Sequence, residues 1–169
     1  MISAALLVVF PFAMAYAAFS DLVSMTIANR VSGVLVLAFA GLALAVGTPV
    51  ETIGLHFLVG SAVLAVGIGC FAAGWMGGGD AKLMAATALW FGPTMDLLDY
   101  MLIGSIYGGL LTLGLLMIRG QILPVTGIDF VDHLLEETTG IPYGIGLGAA
   151  GLTVYSSSDW VDIAVRGFA

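Results

Sequence analysis

Along this chain the apolar positions gather in long unbroken runs, and the charged residues fall between the runs rather than alternating with them. Neither the period of an amphipathic helix nor the alternation of a half-buried strand dominates, so the pattern predicts helices that are apolar on every side. Such a helix needs about 20 apolar residues to cross a bilayer, with about 17 as the short limit. Six runs qualify as candidates, at roughly 3–19, 31–47, 55–74, 81–95, 97–118 and 141–157. The fourth is short and contains Pro93, so it is expected to be kinked, re-entrant or shielded by its neighbours. Five spans is the alternative count. In the first run Ala15-Tyr16-Ala17 loosely matches a signal-peptide cleavage site, but no positive residue precedes it, and the segment reads as a retained span.

One segment departs from this pattern. Between 126 and 138, Thr126 and Asp129 have capping-box-like spacing, and Ile128, Val131, Leu134 and Leu135 mark one helical stripe. A short interfacial helix is expected, with Asp129, Asp132, Glu136 and Glu137 on its polar face. That face suits a basic peptide better than anionic lipid, although a plain solvated surface is the simpler explanation and is preferred.

Composition turns the pattern into a class. With 60% hydrophobic and 9% charged residues, and a mean hydropathy of +1.13, the chain must take lipid as its solvent. The expected fold is all-α: a polytopic integral membrane protein of about six transmembrane helices, with residues 1–169 as a single domain. Gly104 and Gly108, and Gly144 and Gly148, have the small-xxx-small spacing that lets membrane helices approach closely. Four basic residues in a net charge of -7 cannot make a phosphate-binding surface, which excludes nucleic acid as a partner. The lone Cys70 excludes an internal disulfide and a cysteine zinc site.

Cytoplasmic loops collect Lys and Arg, and here Arg30, Lys82 and Arg119 fall after spans one, three and five. The connections at 48–54 and around Asp96 and Asp99 contain no basic residue, and only Arg166 falls on the other side. The N-terminus is therefore expected outside, and the segments near 20–30, 75–82 and 119–140 in the cytoplasm.

In that topology Asp21 ends span one and Asp80 begins span four, both at the cytoplasmic boundary. Two carboxyls brought together share a proton, because both cannot ionise cheaply at short range. One then serves as base toward a bridging water and the other as acid toward a scissile carbonyl. The glycines of Gly77-Gly78-Gly79-Asp80-Ala81-Lys82-Leu83 would let an extended substrate backbone approach Asp80. Structural readings stand beside this: Asp80 as the cap of the fourth helix, and Asp21 as a solvated loop charge.

The same residues resemble a known family. Gly77-Gly78-Gly79-Asp80-Ala81-Lys82 is similar to the GxGDxK motif of type IV prepilin peptidases. Ser20-Asp21 followed by Ile27-Ala28-Asn29 resembles their first-aspartate segment, with Ala28 where the family often has proline. Ile141-Pro142-Tyr143-Gly144 resembles the start of their last span. The nearest likeness is to the short TadV or CpaA form associated with Flp/Tad pili. The resemblance implies a bacterial inner-membrane aspartic endopeptidase that removes the basic leader of prepilins at the cytoplasmic face. Asp21 and Asp80 would be the catalytic pair, Gly77, Gly79 and Lys82 would shape the substrate loop, and no cofactor or metal would be needed. Longer members carry a cysteine-containing domain and also methylate the new N-terminus; this chain holds only Cys70, so peptidase activity without methylation is expected.

The remaining polar residues have simpler readings. Lys82 suits a headgroup anchor, Asn29 an N-cap for span two and Arg30 an interface anchor. His56 and His133 lie apart from other ligand residues, and Asp96 and Asp99 lie opposite the catalytic candidates. Two rival functions remain: a small channel or transporter subunit, disfavoured by the scarcity of polar residues at mid-membrane depth, and an inactive pilus-assembly protein. The partners expected are a prepilin and membrane lipid.

Overall fold

The computed structural model describes residues 1–119, 127–136 and 138–167, which form eight helices and no strand. Among the described residues, α1 (Ile2–Ser24), α3 (Val50–Ala72) and α5 (Met95–Arg119) are long and apolar enough to cross a membrane. The shorter α2 (Asn29–Ala45) is apolar along its length. Large apolar side chains cover the outside: Phe12, Leu37, Leu58, Leu102, Leu110 and Leu113 are all more than half exposed. A water-soluble fold does not present such a surface on every helix, and lipid is the solvent that matches it. The chain is a polytopic helical membrane protein.

The fourth helix is the exception. Helix α4 (Gly78–Phe91) has 14 residues and buries ten of them, from Asp80 to Phe91. At 1.5 Å per residue it reaches only about 21 Å, well short of a bilayer's hydrocarbon. It lies against α3 and α2 and touches α7, so protein surrounds it instead of lipid. Glycines on α3 set the approach: a Cβ at Gly60 would stand 2.8 Å from Leu89, and one at Gly67 2.9 Å from that of Ala81. The helix begins earlier and ends earlier than the apolar run suggests. Gly92, at φ 60°, takes a conformation that residues with side chains rarely adopt, and stops the helix. Pro93 follows the stop, so it kinks nothing inside the helix.

Helix α7 (Tyr143–Tyr155) packs against α1 on one side and α5 on the other. Gly148 sits on Ala18 and the Met14 carbonyl, while Gly146 sits on the backbone of Gly108. Both small-residue pairs read from the sequence thus lie at helix interfaces. Arg119, at the end of α5 and buried, holds the connection that leads into α7. Its guanidinium donates to the carbonyls of Leu134, Thr139 and Gly140.

Two short helices complete the described chain. In the segment expected to be an interfacial helix, α6 (Asp129–Leu135) forms, with Ile128 preceding it as cap. Thr126 and Glu137 lie outside the described residues. Leu135 is buried as the stripe requires, whereas Ile128 is exposed. Helix α8 (Asp159–Arg166) follows α7 and turns Trp160 and Ala164 inward against α1. Trp160 joins Phe10, Phe39, Trp90 and Tyr155 in an aromatic cluster near the C-terminal end of α4. The polar heads in it are satisfied: Trp90 Nε1 donates to the Leu35 carbonyl, Trp160 Nε1 to that of Trp90 and Tyr155 Oη to that of Leu6. This cluster fixes one end of α4, and the aspartates lie at the other, about 15 Å away along the helix.

Candidate active site

Asp21 is not a loop charge. Helix α1 runs on past it to Ser24, and only 6% of its surface is exposed. A buried carboxylate needs donors, and the backbone N–H of Gly144, at the start of α7, donates to Asp21 Oδ2 at 2.7 Å. The chain then reverses. Met25 ends α1 in the left-handed region at φ 52°, unusual for a residue with a long side chain. Ser20 Oγ donates to the Thr26 carbonyl, and Ser24 Oγ to that of Ser20, which braces the turn.

The turn delivers Ile27 to a gap between two glycines. A Cβ at Gly79 would lie 3.2 Å from Ile27 Cβ, and one at Gly144 2.8 Å from Ile27 Cδ1. The same atom at Gly144 would stand 2.8 Å from Asp21 Oδ2. Glycine at these two positions therefore allows α4 and α7 to close on the loop between α1 and α2.

Asp80 occupies the first turn of α4, three residues after Gly77, which caps the helix. Its carboxylate leans back on the Gly77 backbone amide, and a Cβ at Gly77 would stand 2.8 Å from its Oδ2. That is the reach-back expected of an acidic third residue, so the cap is Gly77 and not Asp80 itself. Asp80 is 8% exposed.

Asp21, Met25, Thr26, Ile27 and the run from Gly77 to Asp80 line one cavity of about 290 Å³. The carboxylates are near enough for the charge of Asp21 to act on Asp80. Of the residues singled out in the sequence, Asp21, Asp80, Gly77 and Gly79 thus come together. Lys82 does not line this cavity. Its Nζ donates to Asn29 Oδ1 at 2.9 Å, tying the first turns of α4 and α2. Asn29 correspondingly is not the N-cap expected of it: Ala28 holds that place, and Asn29 is the first helical residue.

Elsewhere both histidines have local partners. His56 Nδ1 is 2.6 Å from the Leu89 carbonyl, and His133 Nδ1 is 3.5 Å from Glu136. Asp96 lies near Asp159 and Asp99, whose like charges repel its own, away from the cavity. Among the described residues no three His, Cys, Asp or Glu side chains are grouped to hold a metal ion. Sequence reasoning did not find Ile27 or the amide of Gly144. Each had a faint signal, the second in the Ile141-Pro142-Tyr143-Gly144 likeness and the small-residue spacing and the first in the Ile27-Ala28-Asn29 likeness, but neither signal showed the contact made.

A family model described as the type IV leader peptidase family matches residues 8–117, more than half of the 169 residues. The match takes in both cavity aspartates and the glycines before Asp80, and stops short of Gly144. No curated protein and no solved structure matches the chain.

Proposed function

This chain belongs to the type IV leader peptidase family, and we propose that it is an aspartic endopeptidase whose catalytic pair is Asp21 and Asp80. It removes the basic leader from Flp-type prepilins, at the cytoplasmic face of a bacterial inner membrane. The observation that carries this reading is the single cavity both carboxyls line, floored by glycines and closed by Ile27.

The chemistry needs nothing beyond that pair, a water and the peptide. One carboxyl is ionised and takes a proton from the water as the water oxygen bonds to the scissile carbonyl carbon. The other, protonated, gives its proton to the carbonyl oxygen. The tetrahedral adduct collapses when the second carboxylate takes a hydroxyl proton back, the carbonyl re-forms and the carbon–nitrogen bond breaks. The first carboxyl passes its proton to the departing amine, and the pair is restored. The glycines beside Asp80 let Ile27 and the Asp80 carboxylate itself pack against them, which shapes the cavity that the peptide enters.

The test is cleavage of a synthetic prepilin-like peptide by purified protein. Asp21→Asn and Asp80→Asn each keep the size of the side chain but can neither carry the charge nor exchange the proton. Each is expected to lower the rate by at least about a hundredfold, and the double variant to be no worse than the singles, because the pair acts as a unit. Asp96→Asn is the control and retains activity. Wild-type cleavage by folded Asp80→Asn protein would rule out the aspartic mechanism; a wild-type protein that binds but never cleaves such peptides would point to an assembly role.

A further inference from the structure

Asp80 lines a second cavity as well. This one, of about 310 Å³, opens between α4 and α5, where the two helices scarcely touch because α5 packs instead on α7. Met84, one turn beyond Asp80, and Met101 form its apolar sides. Ser105 and Gly109, one turn apart on α5, form a wall, and the exposed Trp75 stands at its edge. A Cβ at Gly109 would meet nothing within 4 Å, so the absence of a side chain there is not a packing requirement. The space it leaves belongs to the cavity. This contrasts with the glycines that touch the aspartate pair, each of which has a neighbour where its Cβ would be.

The two cavities meet at Asp80, so a peptide whose scissile carbonyl lies at the aspartate pair has a glycine-floored compartment holding both carboxyls on one side and one walled by methionine, leucine and aromatic side chains on the other. The geometry points to the α4–α5 cavity as the subsite for the first apolar side chain of the segment that follows the scissile bond. This rests on the peptidase reading of the aspartate pair. The chemistry fits that occupant: three methionines, Met76, Met84 and Met101, unbranched and polarisable, adapt to apolar side chains of different shape. The cavity also runs along a membrane helix whose neighbouring Leu102 and Ile106 are exposed, which is where an apolar substrate helix would lie. A basic leader residue would find Asp80 as the one charged lining residue there, among the described residues, and that carboxyl is engaged in the reaction.

The experiment fills the cavity without disturbing the aspartates. Peptides carrying a basic leader and an apolar segment of about 20 residues are made with either Leu or Ala directly after the scissile bond. The ratio of kcat/KM for the Leu peptide over the Ala peptide is then measured for wild type, Gly109→Leu and Ser105→Leu. Since one methylene in an apolar pocket is worth about tenfold or more in discrimination, the ratio is expected to fall at least about tenfold in both variants. Gly41→Leu, on α2 and likewise facing open space, leaves the ratio unchanged. An unchanged ratio in the cavity variants, as when lipid fills the space during turnover, would overturn the subsite assignment, and so would equal losses on both peptides. Failure of the wild type to cleave either peptide would instead strike at the peptidase reading itself.

Discussion

At the scale of single residues the site is a problem in placing two buried carboxyls without isolating either. Asp21 gets the Gly144 amide, Asp80 leans on the Gly77 amide, and Ile27 fills the gap between the glycines of α4 and α7. Gly144 is therefore a positioning residue for Asp21. In Gly144→Ala the new methyl would stand 2.8 Å from both Asp21 Oδ2 and Ile27 Cδ1, too close for either to stay. The carboxylate must move, and a shift of about 1 Å at a catalytic group costs on the order of a hundredfold in rate. The expected outcome is a kcat lowered by at least tenfold in folded protein, with KM for a prepilin-like peptide changed much less. Gly140→Ala, whose Cβ meets nothing within 4 Å, should leave kcat near the wild-type value. Equal activity in the two variants would remove the role assigned to Gly144. That both aspartates would meet was legible in the sequence, because the topology put them at one membrane boundary and both stand in the segments that resemble the family. The role of Ile27 was not: it stands in the Ile27-Ala28-Asn29 likeness, but its fit between two glycines exists only once three helix ends have met.

At the scale of elements, hydropathy located the apolar runs but could not say what surrounds each one. The run at 81–95 and the helix Gly78–Phe91 differ because a window average passes over Gly92, whose backbone conformation ends the helix, and counts Thr94 and Met95 beyond it. In the same way the run at 3–19 stops at the first polar residues, whereas α1 continues through Ser20 and Asp21 to Ser24, because Asp21 finds its donor on α7. Helix α8 escaped notice since eight residues with two inward apolar anchors give no long run. The enclosure of α4 can be tested from the neighbouring helix. Gly67 faces α4, where its Cβ would stand 2.9 Å from that of Ala81 and 3.3 Å from Ala81 Cα; Gly69, on the same helix, faces open space. Gly67→Leu must push α4 away and is expected to destabilise the detergent-solubilised protein by about 1–3 kcal/mol, as overpacking does. Gly69→Leu should change stability little and, if anything, favour the helix. Unfolding curves for the two variants that coincide would mean that α3 and α4 are not in the contact described.

At the scale of the whole molecule the fold sorts its polar features between two ends, and the basic residues predict which end faces which side. Asp21 near the end of α1, the first turns of α4 and α7, and the Lys82–Asn29 tie all gather at one end, with Arg30 beside Asn29 and Arg119 holding the connection into α7. The like charges of Asp96, Asp99 and Asp159 crowd together at the other, and no lysine or arginine stands between Thr48 and Gly54. Lys and Arg are retained on the cytoplasmic side during insertion, so the aspartate end is expected to face the cytoplasm. Arg119 qualifies the rule in an instructive way, because its guanidinium is spent on three carbonyl groups; its position is fixed by packing as well as by charge. A reporter fused directly after Arg119 should read as cytoplasmic, and one placed between Thr48 and Gly54 as external, in a phosphatase and fluorescent-protein fusion pair. Replacing Arg30 and Lys82 by neutral residues should blur that assignment more than replacing Arg119 by Lys, which keeps the charge while losing the planar set of donors. The reverse pattern of reporters would put the aspartate cavity on the side of the membrane where a basic leader is not presented, and the leader-peptidase reading would then have to explain how a substrate with its charge retained in the cytoplasm reaches Asp21 and Asp80.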